Sequence, residues 1–353
     1  MRRREPANPR SEDSSRIGAR PQTRGGSAGG TARCGTIGRS SAPDPQLPPS
    51  IPPSLRPERL WLGPALALGG AFGFSAKAIF AKLAYAAAPI DAVTVLTFRM
   101  LFSLPLCALM IWAAQRDAAS ARLTRRDWAV IVWLGFIGYY LASLLDFWGL
   151  EYISASLERL ILFLNPTIVV LLSALVLRKP VTRRTLLALC LSYAGIVLVF
   201  AHDLQLARDT SALLAGGGLV FASAVMYAIY LVGNGEIIQR VGTVRLTGYA
   251  MAVSTVFVFL QFLLTRPVSS LNQPAAVYWI IGGMAVASTV LPIWLMNEAI
   301  HRIGANRVAL FGTVGPVLTI GLGALFLGEP VTAFQLAGAA MVIAGVGLVT
   351  LKN

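Results

Sequence analysis

The chain has 353 residues, of which 56% are hydrophobic and 13% charged, with a formal net charge of +14. Soluble domains carry about 25% charged residues, so a single soluble domain is excluded, and so is a collagenous or disulfide-built chain. The charge is uneven: residues 1–59 hold 11 Arg and 5 acidic residues, and the other 294 residues carry 30 of the 46 charges, with a balance of +8 (+14 − 6).

Taken in chain order, residues 1–59 are rich in Arg, Ser, Gly and Pro and cannot bury a core, so they are read as a disordered basic tail. The tail is either dispensable or an over-extended start. No apolar h-region with a cleavage site precedes Leu60, and Glu5, Glu12 and Asp13 weaken an organelle transit peptide. From Leu62 onward the pattern is apolar runs of about 20 residues, the length that crosses a ~30 Å hydrocarbon core. The first five predicted spans are Leu62–Tyr85, Asp91–Trp112, Trp128–Trp148, Ala155–Leu177 and Thr185–Ala201. The second five are Leu213–Val232, Leu246–Leu264, Ala276–Met296, Ala305–Leu327 and Phe334–Leu351. The expected fold class is an all-α polytopic membrane protein with ten transmembrane helices.

Basic residues sit between these runs rather than on a stripe with interleaved aromatics, which argues for the lipid bilayer as partner and against nucleic acid. With the N-terminus inside, the inner loops and C-terminus hold thirteen Lys and Arg, among them Arg125, Arg126, Arg178, Lys179, Arg183 and Arg184. The outer loops hold Lys82, Arg208 and Arg266. Both termini are therefore expected on the cytoplasmic side. Cys34, Cys107 and Cys190 show no paired spacing, and with His202 and His301 they build neither a disulfide framework nor a metal site. No cofactor is implied.

Self-comparison yields a repeat at an offset of 150 residues. Ile153-Ser-Ala155 recurs as Ile303-Gly-Ala305, Pro166 as Pro316, Pro180-Val181-Thr182 as Pro330-Val331-Thr332, and Ala194-Gly195 as Ala344-Gly345. The domains are thus the 1–59 tail, a first repeat over 60–201 and a second over 213–351. Five helices per copy is an odd number, so the second copy runs through the membrane in the opposite sense. The loop around Arg178-Lys179-Pro180 is basic, while its mate Gly328-Glu329-Pro330 is not, in keeping with that inversion. Inverted repeats mark secondary transporters, with a substrate site at the repeat interface.

The block Gly149 to Leu157, Asn165-Pro166, Leu175 to Val181 and Gly195 to Val199 resembles the EamA repeat. The second copy, through Gly315-Pro316, Gly328-Glu329-Pro330-Val331 and Gly345 to Val349, resembles it more closely, although Lys179 stands where this copy has Glu329. Over residues 60–353 the chain is similar to EamA-type members of the drug/metabolite transporter superfamily. The resemblance implies two inverted five-helix repeats in a bacterial inner (plasma) membrane. It further implies export or exchange of small metabolites by alternating access, without fixing a substrate, coupling ion or oligomeric state.

Ionisable residues inside spans are functional candidates, because placing a charge there costs about 2.5–3.5 kcal/mol. Lys77 and Arg99 lie about 12 Å from the outer ends of their spans. Asp146, Glu158 and Arg159 fall within about 6 Å of theirs. Lys77 and Arg99, with their repeat mates Tyr227 and Tyr249, are the candidate substrate-binding residues. They would suit a small molecule that is anionic or amphipathic. Asp146, Glu158 and Arg159 are candidate coupling or charge-pair residues, with snorkelling to the interface as the structural alternative. Pro166 and Pro316 are read as symmetric helix bends. Three rival classes remain, a non-transporting sensor or assembly partner, an intramembrane enzyme, and a channel, for which no filter-like loop or charged ring is visible. No H-E-x-x-H, G-x-S-x-G or paired Asp motif lies on any span to support the enzyme.

Overall fold

The computed structural model describes residues 61–115, 123–176, 182–206, 209–234, 237, 241–303 and 305–350. The tail expected over 1–59, the span ends Leu177 and Leu351, and loop residues such as Arg178 and Lys179 lie outside them. Ten helical spans follow in order. Helices α1 (Leu62–Ala87), α2 (Ala92–Gln115), α3 (Arg125–Leu150), α4 (Ala155–Val176) and α5 (Arg183–Leu206) form the first repeat. The second comprises α6 (Thr210–Gly233), α7 (Thr243–Thr265), α8 (Ala275–Ala285 continuing to Leu291–Ile303), α9 (Ala305–Gly312 and Gly315–Leu327) and α10 (Ala333–Thr350). Eight of these are long and apolar enough to cross a membrane, and Gly315–Leu327 and Ala333–Leu348 are shorter apolar helices.

Packing follows the repeat. Helix α1 packs on α8 and α3 on α6, which are equivalent pairs under the 150 offset, while α2 packs on α7 and α5 on α10, each helix against its own mate. The α5–α10 seam shows why small residues recur there. A Cβ on Gly195 would come within 2.7 Å of Gly338 O, and one on its mate Gly345 within 2.7 Å of Ala188 O. Ala188 and Gly338 are themselves 150 apart, so one close approach is made twice around a pseudo-two-fold axis. The largest core cluster gathers Val95, Leu96, Met100, Phe147, Phe262 and Ile281 from both repeats.

Two kinds of departure from regular helix are placed symmetrically. Helix α4 breaks into α4a (Ala155–Leu162) and α4b (Asn165–Val176), and α9 into α9a (Ala305–Gly312) and α9b (Gly315–Leu327). The predicted bends at Pro166 and Pro316 are thus full interruptions. Each proline occupies the second position of the restarted helix, where its missing N–H has no intrahelical acceptor to lose. A π-helical segment, Gly135–Leu141, interrupts α3, and its counterpart Val286–Val290 interrupts α8. Pro292 cannot donate to the Ser288 carbonyl, which accounts for the widened turn in α8. Its mate is Ala142, so nothing comparable dictates the turn in α3.

Candidate functional site

Five charged side chains of the first repeat converge where α1, α3 and α4a meet. Lys77 on α1 pairs with the Asp146 carboxylate on α3, and its Nζ lies 3.2 Å from Glu158 Oε1 on α4a. The Asp146 and Glu158 side chains are 4% and 0% exposed, so neither snorkels to an interface. They sit near helix ends, yet neighbouring spans cover them, and the expected charge pairing rather than snorkelling is what Lys77 makes with both. Phe147, adjacent to Asp146 and fully buried, underlies two cations, with Lys77 Nζ 5.8 Å and Arg99 Cζ 5.5 Å from its ring centroid. Tyr85 Oη donates to Phe147 O at 2.8 Å and fixes α1 against α3.

This cluster borders a cavity of about 380 Å3 between the repeats. The first repeat supplies its charge through Lys77, Arg99, Asp146 and Arg159, together with Tyr139 and Asn165. From the second repeat come neutral groups, namely Ser223, Tyr227, Met251, Ser288, Thr289 and Ile293. The irregular segments matter here, since both π turns and the α4 break contribute lining residues. Gly138 in the first π turn has a specific role, because a Cβ there would fall 2.3 Å from the Tyr230 ring. Tyr230 in turn stacks on Tyr227 at 5.6 Å and meets Tyr139 edge-on at 5.2 Å, so it backs the two tyrosines that line the cavity.

The cations are unequally employed. Lys77 serves two carboxylates. The Nε atoms of Arg99 and Arg159 are buried without a hydrogen-bond partner among the described residues, and so is Asn165 Oδ1 at the α4 break. Arg159 also reaches the other broken helix, since a Cβ on Gly315 would lie 3.0 Å from its Nη2. With Glu158 counted, three basic side chains stand against two carboxyl groups.

Of the residues singled out in sequence, Lys77, Arg99, Asp146, Glu158, Arg159, Tyr227 and Pro166 come together. Tyr249 and Pro316 do not line this cavity. The Tyr249 ring lies against Trp128 at 4.9 Å and beneath Arg245 at 5.7 Å, near the start of α7. Sequence reasoning missed Tyr139, Asn165, Ser223, Ser288 and Thr289. The available signal was the repeat offset itself, which maps Gly138-Tyr139 onto Ser288-Thr289. Among the described residues no group of three or more His, Cys, Asp or Glu is placed to hold a metal ion. A second cleft of about 280 Å3, lined by Phe72, Ile79, Phe80, Leu291 and Phe326, contains no charged residue.

Ten spans in two repeats, with a charged cavity between them, define a multi-pass membrane transporter. The sequence profile of the EamA-like transporter family matches residues 61–201 and 214–351, and the chain belongs to that family. It is 33% identical over 282 residues to the uncharacterized transporter YcbK of Bacillus subtilis (strain 168), covering 78% of this chain and 88% of that protein. It is 28% identical over 246 residues to the uncharacterized transporter YyaM of the same organism, covering 69% and 80%. A solved crystal structure at 19% identity superposes with a TM-score of 0.56 over 82% of this chain and 97% of that one, a likeness of fold.

Proposed function

We propose that this protein is a secondary transporter that carries small organic anions by alternating access, as an exporter or an exchanger. One observation carries the reading: Lys77 is occupied by Asp146 and Glu158, which leaves the Arg99 and Arg159 guanidinium groups at the cavity without carboxylate partners among the described residues. A planar guanidinium suits a carboxylate or phosphate. Phe74, Tyr139, Phe163 and Tyr227 at the same cavity favour an anion with an apolar or aromatic body. Asp146 and Glu158 form the coupling element in this scheme. Two carboxylates share one ammonium, so a proton taken by either brings that trio to neutrality. The basic loops support a bacterial inner-membrane location with both termini cytoplasmic. Reporter fusions after Arg184 and after Pro330 should then report opposite sides.

The transport test uses purified protein in proteoliposomes loaded with an unlabelled organic anion. Counterflow of labelled aromatic carboxylates is expected to be saturable. It should fall at least a hundredfold in Arg99→Ala, about 3 kcal/mol for a lost charged contact, while the variant elutes as folded protein. Saturable counterflow of organic cations but not anions would refute the assignment.

A further inference from the structure

Glu329 lies outside the cavity, in the short link between α9 and α10, and crosses to the other repeat. Its Oε1 accepts the Ala155 N–H at 2.8 Å, and its Oε2 accepts the Ser156 N–H at 3.3 Å and the Ser156 Oγ–H at 2.8 Å. Those two amides open α4a, where backbone donors have no intrahelical acceptor. The next amide, Leu157 N–H, is taken by Ser154 Oγ from the helix's own cap. A carboxylate of the second repeat thus completes a helix N-terminus of the first, where negative charge is also favoured by the helix dipole. Ala155 and Ser156 are 0% and 1% exposed, so the contact is buried on the α4a side.

The second repeat is shaped to deliver that carboxylate. Gly328 turns the chain at φ 65°, in the left-handed region, and the Glu329 N–H closes back on Gly323 O at 3.1 Å. Gly323 leaves space for the side chain, since a Cβ there would stand 2.9 Å from Glu329 Oε2. The first repeat has no such set at the matching positions. Ser173, Arg178 and Lys179 replace Gly323, Gly328 and Glu329, and a lysine cannot accept an amide hydrogen bond. The two repeats therefore differ in chemistry at these matching positions of the sequence.

Helix α4a joins this contact to the cavity. Ser156 at its top lies within one turn of Glu158 and Arg159, and below them the break at residues 163 and 164 frees the segment from α4b. We infer that Glu329 is the latch of the outer gate: the carrier opens outward only when its carboxylate releases Ala155 and Ser156. The inference rests on the alternating-access reading. It differs from the cap made by Glu151, which accepts the Ala92 N–H at 2.7 Å within the first repeat and need not break when the repeats rock.

The test needs no substrate, so it stands whichever solute is carried. Cys34, Cys107 and Cys190 are replaced by Ser, and Ser143 at the cavity by Cys. Intact cells are then treated with a membrane-impermeant maleimide. Glu329→Gln, which keeps one carbonyl acceptor but loses the charge, should label about tenfold faster, the scale of one charge-assisted hydrogen bond. Ser156→Ala should label faster by a smaller factor, and Glu151→Gln at the parent rate. Unchanged labelling in folded Glu329→Gln would overturn the latch. So would failure of both Glu329→Gln and Ser156→Ala to fold, because the contact would then be a folding cap rather than a gate.

Discussion

At the common offset of 150, Lys77 and Tyr227 line the same cavity, as do Tyr139 and Thr289, and Ser143 and Ile293. At these shared positions the two repeats present different groups, Lys77 against Tyr227 and Ser143 against Ile293, while the remaining charges, Arg99, Asp146 and Arg159, come from the first repeat at positions whose mates do not line the cavity. Arg99 and Tyr249 are one of the pairs of which a single member reaches the cavity, here Arg99. The reason is geometric. Arg99 lies seven residues into α2 and Tyr249 six into α7, each about 10 Å from the start of its helix. In the proposed inverted topology α2 and α7 enter from opposite faces, which an axis in the membrane plane exchanges. Mates therefore meet only near the axis. Lys77 and Tyr227 are close enough to it to share one space.

The sharpest way to break this comparison is to remove the charge that organises the first repeat. Lys77→Ala leaves Asp146 and Glu158 buried side by side without their cation, and losing one partner of a buried ion pair costs about 3–5 kcal/mol. That variant should accumulate at a small fraction of the parental level. Combining Lys77→Met with Asp146→Asn and Glu158→Gln removes all three charges together and should restore folded protein, read by size-exclusion elution, but not transport. If Lys77→Ala accumulates normally, the trio does not hold the repeat together. Arg99→Ala differs in kind, since Arg99 pairs with no carboxylate among the described residues, and its loss should affect counterflow rather than yield.

A gentler contrast uses the two tyrosine mates. Tyr227→Phe removes a hydroxyl from the cavity wall and is expected to weaken transport up to about tenfold, as one hydrogen bond of about 0.5–1.5 kcal/mol is lost. Tyr249→Phe, beyond the cavity, should leave the apparent substrate affinity unchanged. Equal losses in both would mean that the substrate space extends past Met251 toward the start of α7.

Much of the fold was legible because apolar length and the repeat offset are properties of the chain alone. The spans and the two copies follow from them, and Pro166 and Pro316 marked as bends what the structure makes full interruptions. The site was only half legible. Lys77 and Arg99 stood out as deep charges, but the burial of Asp146 and Glu158 depends on α1 and α3 lying across them, which no periodicity encodes. The π turns that bring Gly138, Ser288 and Thr289 to the cavity leave no pattern of their own, and only Pro292 hints at one of them. Glu329 was visible as a mismatch with Lys179, yet its meaning required knowing that α4a begins beside it.

The smallest expected effect separates the two carboxylates that cap helices, Glu329 and Glu151. Glu329 receives three hydrogen bonds across the repeat boundary, whereas Glu151 receives the Ala92 N–H within its own repeat. Burial pushes the Glu151 carboxyl above its ordinary value of 4.5, and the Ala92 N–H and nearby Arg266 and Lys82 only partly offset that. A carboxyl raised on folding contributes stability below its unfolded value, and the contribution is lost as pH rises through the folded value. At neutral pH, ionised Glu151 is therefore a net cost to the folded protein. Glu151→Gln retains a carbonyl for Ala92 and carries no charge, so it should raise the melting temperature slightly at pH 7–8, by about 2 °C or less. The gain should vanish near pH 4, where the carboxyl is protonated in the parent as well. A melting temperature lowered at both pH values would show that the Ala92 contact needs the negative charge, and would place Glu151 beside Glu329 as a second charged cap.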